Sequence, residues 1–189
     1  MSAETKQISN QTELAATCRL VAGFWLNEVD HATLELMKNP QVRQAWTELG
    51  GSVLDDGGNS SELLDALAAD YCQVLIGPKK HLPPVQSVWS DHVFQSDAAS
   101  STKHFYELYA DYRPPGTIVD HLGCQLHFAG FLLDQASDDQ TATRVLGKFQ
   151  QSHLAWALQL LDRVAQKAET DFYRGLAGVT ERLIKELAN

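Results

Sequence analysis

The chain has 189 residues, 44% hydrophobic and 21% charged, which suits a single globular domain, or one with two lobes, that buries a real core. Its 24 acidic residues against 15 basic ones give a formal net charge of -9. That field repels a phosphate backbone and no basic stripe offsets it, so nucleic acid and anionic membrane are poor partners, while a cationic peptide is attracted.

Helical periodicity dominates, and no segment shows the alternation of a half-buried strand. A first helix is expected over about 10–26, with Leu14, Val21 and Trp25 on one face. Shorter helices follow at about 32–37 and 42–49, punctuated by Pro40, and Gly50-Gly51 and Gly57-Gly58 bracket a polar loop. Ser60 or Ser61 suits the N-cap of a helix that repeats Leu64, Leu67, Tyr71 and Leu75 and must stop at Gly77-Pro78. Residues 79–90 contain Pro83-Pro84 and should form no regular helix. Further helices are expected at about 99–111 and 119–135, then as one long helix over 141–167. A final helix is expected to be capped by Thr170, with Phe172, Leu176, Val179, Leu183 and Leu187 inward. Pro114-Pro115-Gly116 suits a hinge between two lobes.

The chemistry-bearing residues assemble no catalytic motif. Cys18, Cys72 and Cys124 are widely spaced, odd in number and set in apolar-periodic segments, which favours reduced core thiols over disulfides or a zinc knuckle. Among the seven histidines no two stand at i, i+4. Glu28 and His31 form a single Glu-x-x-His, where a di-iron bundle needs two. There is no nucleophile elbow and no phosphate-binding glycine loop. There is no apolar run near the ~20 residues of a membrane span. The polar stretch Met1–Asn10 does not read as a secretory signal, so a cytoplasmic location is expected.

Two local features remain. The run from Asp70-Tyr71 through Gly77-Pro78 to Pro83-Pro84 and Trp89 reads either as a linker whose Trp89 plugs the core or as a rigid, open apolar surface. Asp120-His121 begins a helix, where a carboxylate caps free amides, and it equally offers a negative charge beside a titratable imidazole. The residues alone leave both pairs of readings open.

Three stretches together resemble the TorD/DmsD/NarJ family of redox-enzyme maturation chaperones. They are Asp70-Tyr71…Leu75-Ile76-Gly77-Pro78…Pro83-Pro84…Ser87-Val88-Trp89, then Asp120-His121-Leu122-Gly123 with Gln125-Leu126 and Phe128, and finally His153-Leu154 and Trp156 followed by Phe172-Tyr173-Arg174. The likeness runs over about residues 60–188. The chain departs from the family pattern at Ile76, at Gln86 and at Ile118-Val119, where the family often has Phe, Glu and Glu-Pro.

The resemblance implies an all-α, TorD-like helical domain over 1–189. Its lobes would cover about 1–113 and 122–189, joined by a hinge at about 114–121. It implies a chaperone, not an enzyme, that binds the twin-arginine signal peptide and the apo form of a molybdopterin-dependent reductase or dehydrogenase. Peptide-binding residues would be Tyr71, Leu75, Pro84, Trp89, Asp120 and His121, with Gly77, Pro78, Pro83, Ser87 and Gly123 shaping the loops. No cofactor is required, and weak GTP or molybdenum-cofactor binding stays open, as does a monomer or a domain-swapped dimer. The alternatives are a helical nucleotide or molybdenum-cofactor binder and a helical protein-interaction regulator.

Overall fold

The computed structural model describes residues 3–54, 59–136 and 139–188. Among them the regular structure is helical. The helices are α1 (Ala3–Leu26), α2 (His31–Lys38), α3 (Pro40–Glu48), α4 (Ser60–Tyr71), α5 (Gln86–Ser90), α6 (Asp97–Glu107), α7 (Leu122–Ala136), α8 (Gln140–His153), α9 (Ala157–Lys167) and α10 (Asp171–Glu186). A π-helical turn, Cys72–Ile76, continues α4. The sole ladder contact among the described residues is an isolated antiparallel bridge between Val85 and His121.

Side-chain caps set many of the boundaries. Asp30 Oδ1 accepts from the Thr33 amide at 2.8 Å to open α2, and Asn39 Oδ1 accepts from Gln41 at 2.9 Å to open α3, with Pro40 at its first position. The cap of α4 is Asn59, one residue before the expected serines. Its Oδ1 accepts from the Glu62 amide at 3.3 Å, and its Nδ2 donates to Glu62 Oε2 at 2.8 Å. Gly57-Gly58 lies outside the described residues.

Two expectations about helix continuity are corrected. Residues 86–90 form a helix, because the prolines forbid a helix through themselves but not one that starts just after them. The expected single helix over 141–167 is two, α8 and α9. At the break the Ala155 amide donates to Gln150 O (3.2 Å) instead of residue 151, and Trp156 Nε1 donates to His153 O and to Gln125 Oε1, each at 3.0 Å.

The chain falls into two compact units. The first comprises 1–26, 84–157 and 184–189, and residues 114–121 lie inside it. Here α7 packs on α1 and α8. A Cβ at Gly123 would meet Ala22 O at 2.8 Å and one at Gly130 would meet Ala15 O at 2.9 Å. Two glycines a heptad apart thus let the α7 and α1 backbones approach closely. Phe128 anchors an aromatic cluster, with Tyr112, Tyr106 and Phe149 ring centroids 4.7, 4.8 and 4.9 Å away.

The second unit comprises 27–83 and 158–183. Trp46 stacks on Phe172 at 5.6 Å and Tyr71 meets Tyr173 at 6.0 Å. The expected inward residues of α10 in this unit, Phe172, Leu176, Val179 and Leu183, are all buried, and so is Leu187, which belongs to the first unit. Thr170 does cap α10, accepting from the Tyr173 amide at 3.5 Å. Its position is fixed by buried Asp70, whose Oδ2 accepts from Thr170 Oγ1 (2.6 Å) and Thr170 N (2.8 Å), and whose carboxylate also takes the Glu169 amide (3.1 Å). Of the cysteines, Cys18 and Cys124 are buried as expected, but Cys72 is exposed because it lies on the outer side of the π-helical turn.

Candidate functional site

In the first unit the two central sequence stretches, 84–89 and 120–123, are joined into one element. The Leu122 amide donates to Pro84 O (2.8 Å), the Gln86 amide to Asp120 O (3.0 Å), and the Ser87 amide to Asp120 Oδ2 (2.8 Å). Asp120 therefore does act as a helix cap, but for α5 and not for the helix that follows it. Its side chain is fully buried, and its Oδ1 has no hydrogen-bond partner. An open acceptor on a buried carboxylate is costly and calls for a compensating donor.

His121 is half-buried and accepts from the Gly123 amide on Nδ1 at 3.1 Å. Burial depresses its pKa to about 4 although Asp120 pulls the other way, so the ring is neutral at pH 7. It lines a cavity of about 220 Å³ with Leu26, Gly116, Ile118 and Cys124. Pro84 is buried and Trp89 half-buried.

A buried polar network supports this element. Gln86 Oε1 accepts from Gln125 Nε2 (2.6 Å) and faces His153 Nδ1 (2.9 Å), and Gln86 Nε2 donates to Ser152 O (2.9 Å). His153 also meets Thr102 Oγ1 at 3.0 Å and Ser101 Oγ at 3.2 Å. An acceptor opposite Nδ1 selects the neutral tautomer protonated there, and burial lowers the ring's pKa to about 4. The network ties α5 to α6, α7 and α8 through side chains that local sequence reasoning left without a role.

Tyr71 and Leu75 belong to the second unit and are both buried there. The π-helical turn carries one residue more than an α-helical turn, so Leu75 faces inward while Ile76, which the sequence reading did not select, is 56% exposed. A Cβ on Gly77 would meet Cys72 O at 2.9 Å, which explains the glycine at the end of this turn. Lys167 Nζ donates to Gln73 O (2.6 Å) and Lys80 O (2.8 Å), bracing the segment that contains Pro78 and leads on to half-buried Pro83.

Among the described residues no group of three or more His, Cys, Asp or Glu is placed to hold a metal ion, and no helix is long and apolar enough to cross a membrane. The fold and the paired motif stretches define an all-α protein of the TorD type. The chain belongs to the family described as nitrate reductase delta subunit, whose model matches residues 35–163. It is 29% identical over 180 residues to the chaperone protein YcdY of Escherichia coli K12, covering 93% of this chain and 94% of that one. It is 28% identical over 185 residues to the chaperone protein TorD of Shewanella sp. ANA-3, with 88% of each chain covered. A TorD chaperone of Shewanella loihica is 24% identical over 194 residues, covering 88% of this chain and 87% of that one.

Proposed function

We propose that this chain is a cytoplasmic maturation chaperone that binds the twin-arginine signal peptide of a molybdopterin-dependent reductase or dehydrogenase. It holds the apo enzyme back from export until its cofactor is inserted, and it performs no catalysis. The observation that carries the reading is the joined 84–89 and 120–123 element around Asp120, whose second carboxylate oxygen is buried without a hydrogen-bond partner. A guanidinium is the partner that suits it, because it supplies several donors and a compensating charge. Neutral His121 and half-buried Trp89 offer an amphipathic and an apolar surface on the same element. Tyr71 and Leu75, which the resemblance assigns to the peptide, are buried in the second unit, where Ile76 is the exposed apolar residue of that stretch.

The test is titration calorimetry with twin-arginine signal peptides of molybdoenzymes from the same genome, each with an Arg-Arg→Ala-Ala control. Micromolar or tighter binding, on the order of -8 kcal/mol, that is lost in the control supports the reading. Binding to the mature enzyme equally well without its signal peptide would refute it. Asp120→Asn should weaken peptide binding with helicity intact, and unchanged affinity would remove the Asp120 charge from the site.

A further inference from the structure

Between α5 and α6 the chain makes a tight outward turn, Asp91–Ser96. At its tip Val93 is 61% and Phe94 51% exposed, and Phe94 is the one exposed phenylalanine of seven. The residues on either side, His92 and Gln95, hold left-handed backbone angles, φ 57° and 58°. Residues with a Cβ adopt that conformation against a steric cost, and it persists only where the surroundings impose it.

One residue imposes most of it. The Ser87 carbonyl accepts from the Asp91 amide (3.0 Å) and the Val93 amide (3.3 Å), while its Oγ accepts from the Gln95 amide (3.1 Å). The Ser87 amide in turn donates to Asp120 Oδ2 at 2.8 Å. On the far side Asp91 Oδ2 accepts from Ser96 Oγ and from the Ala98 amide (3.1 Å). A turn needed only for connection would lose nothing in the fold with glycine at 92 or 95 and polar residues at 93 and 94. This one spends backbone strain to keep two apolar side chains rigidly in water.

We infer that the Val93–Phe94 tip is a preorganised apolar anchor for the client's signal peptide, and that Asp120 acts on it through Ser87 as a positioning residue. The inference rests on the peptide-binding reading above. Charge selects the occupant: no Lys or Arg occurs over residues 81–102, and exposed Asp91 and Asp97 flank the tip. A segment with an apolar run beside cationic residues complements this surface on both counts. A second copy of the chain would bring the same aspartates against themselves. A rigid anchor also loses little freedom on binding.

The experiment uses the full chain and fluorescently labelled twin-arginine signal peptides of molybdoenzymes from the same genome. The double variant Val93→Ser/Phe94→Ser should lose at least tenfold in affinity with its thermal midpoint unchanged. Leu108→Ser, at a 54% exposed apolar site outside the turn, should bind as the wild type. Gln95→Gly, which relieves the left-handed residue and frees the tip, should keep or raise the midpoint and still weaken binding severalfold. Asn at 120 keeps an acceptor for Ser87 and loses the charge, whereas Ala loses both. The affinity difference between Asp120→Ala and Asp120→Asn therefore reports the brace, and it should vanish in the Val93→Ser/Phe94→Ser background. Wild-type affinity in the double variant would overturn this inference and leave the peptide reading standing. A double variant that loses only self-association would overturn it in favour of a second copy. A wild type that binds none of the peptides would overturn both.

Discussion

Asp70 is the residue whose removal should be felt most sharply in the second unit. It lies at the end of α4, is 3% exposed, and its carboxylate accepts from the Glu169 amide, the Thr170 amide and the Thr170 hydroxyl. The hydroxyl is also the acceptor for the first turn of α10, so one side chain positions the cap of a helix 100 residues away. A hydrogen bond to a charged acceptor contributes about 1.5–3 kcal/mol when well shielded. Glu169 is exposed and Thr170 half-buried, so water reaches these donors once the carboxylate is gone. About 1 kcal/mol for each of the three is the better figure, and Asp70→Ala should cost roughly 3 kcal/mol. Asp70→Asn keeps one acceptor oxygen and should cost about half of that. Urea unfolding followed by far-UV circular dichroism at pH 7 measures both, with an unchanged m-value as the sign that the unfolded state is unaltered. A loss below about 0.5 kcal/mol for Asp70→Ala would refute the assignment of Asp70 as the anchor of the α10 cap.

Acid should weaken the fold through its buried histidines. The His153 pKa of about 4 in the folded chain lies below the unfolded value of about 6.5, so between these pH values the unfolded state binds the extra proton. Stability is lost as pH falls from about 6.5 to about 4, by up to roughly 3 kcal/mol for His153, and His153→Gln should flatten that part of the curve in urea titrations at pH 7, 5.5 and 4.5. Equal pH slopes for the two proteins would refute it. Thiol labelling should be selective: Cys72 is exposed, whereas burial raises Cys18 to about 12 and Cys124 to about 11, so one thiol should react with Ellman's reagent before unfolding and three after. Gly77→Ala should destabilise the chain by about 1–2 kcal/mol, because its Cβ would press on the Cys72 carbonyl; a thermal midpoint equal to the wild type would refute this.

The helices were legible because apolar residues recur at 3 and 4 positions, and that pattern survives whatever the neighbours do. Where the structure departs from it, the cause is tertiary. Phe149, Trp156, Leu160 and Val164 continue one stripe, so nothing local marks the break after His153. The break exists because Trp156 bonds to Gln125, on a different helix. Leu75 and Ile76 are equally apolar, and only the extra residue of the π-helical turn decides which one faces outward.

The site is the harder case. Resemblance picked out Ser87 and Asp120, but adjacency suggested that Asp120 caps its own helix, and the amide it holds is 33 residues away. Gln86, which reads as a departure from the family pattern, meets Gln125 and His153 at separations of 39 and 67 residues. An amide supplies both an acceptor for those two donors and a donor for Ser152 O, whereas a carboxylate there would accept but not donate and would carry a buried charge. The departure is thus matched to its surroundings: a glutamate at 86 in this chain would have to displace Ser152 or protonate. Position 86 therefore speaks to how this chain packs α5 against α8.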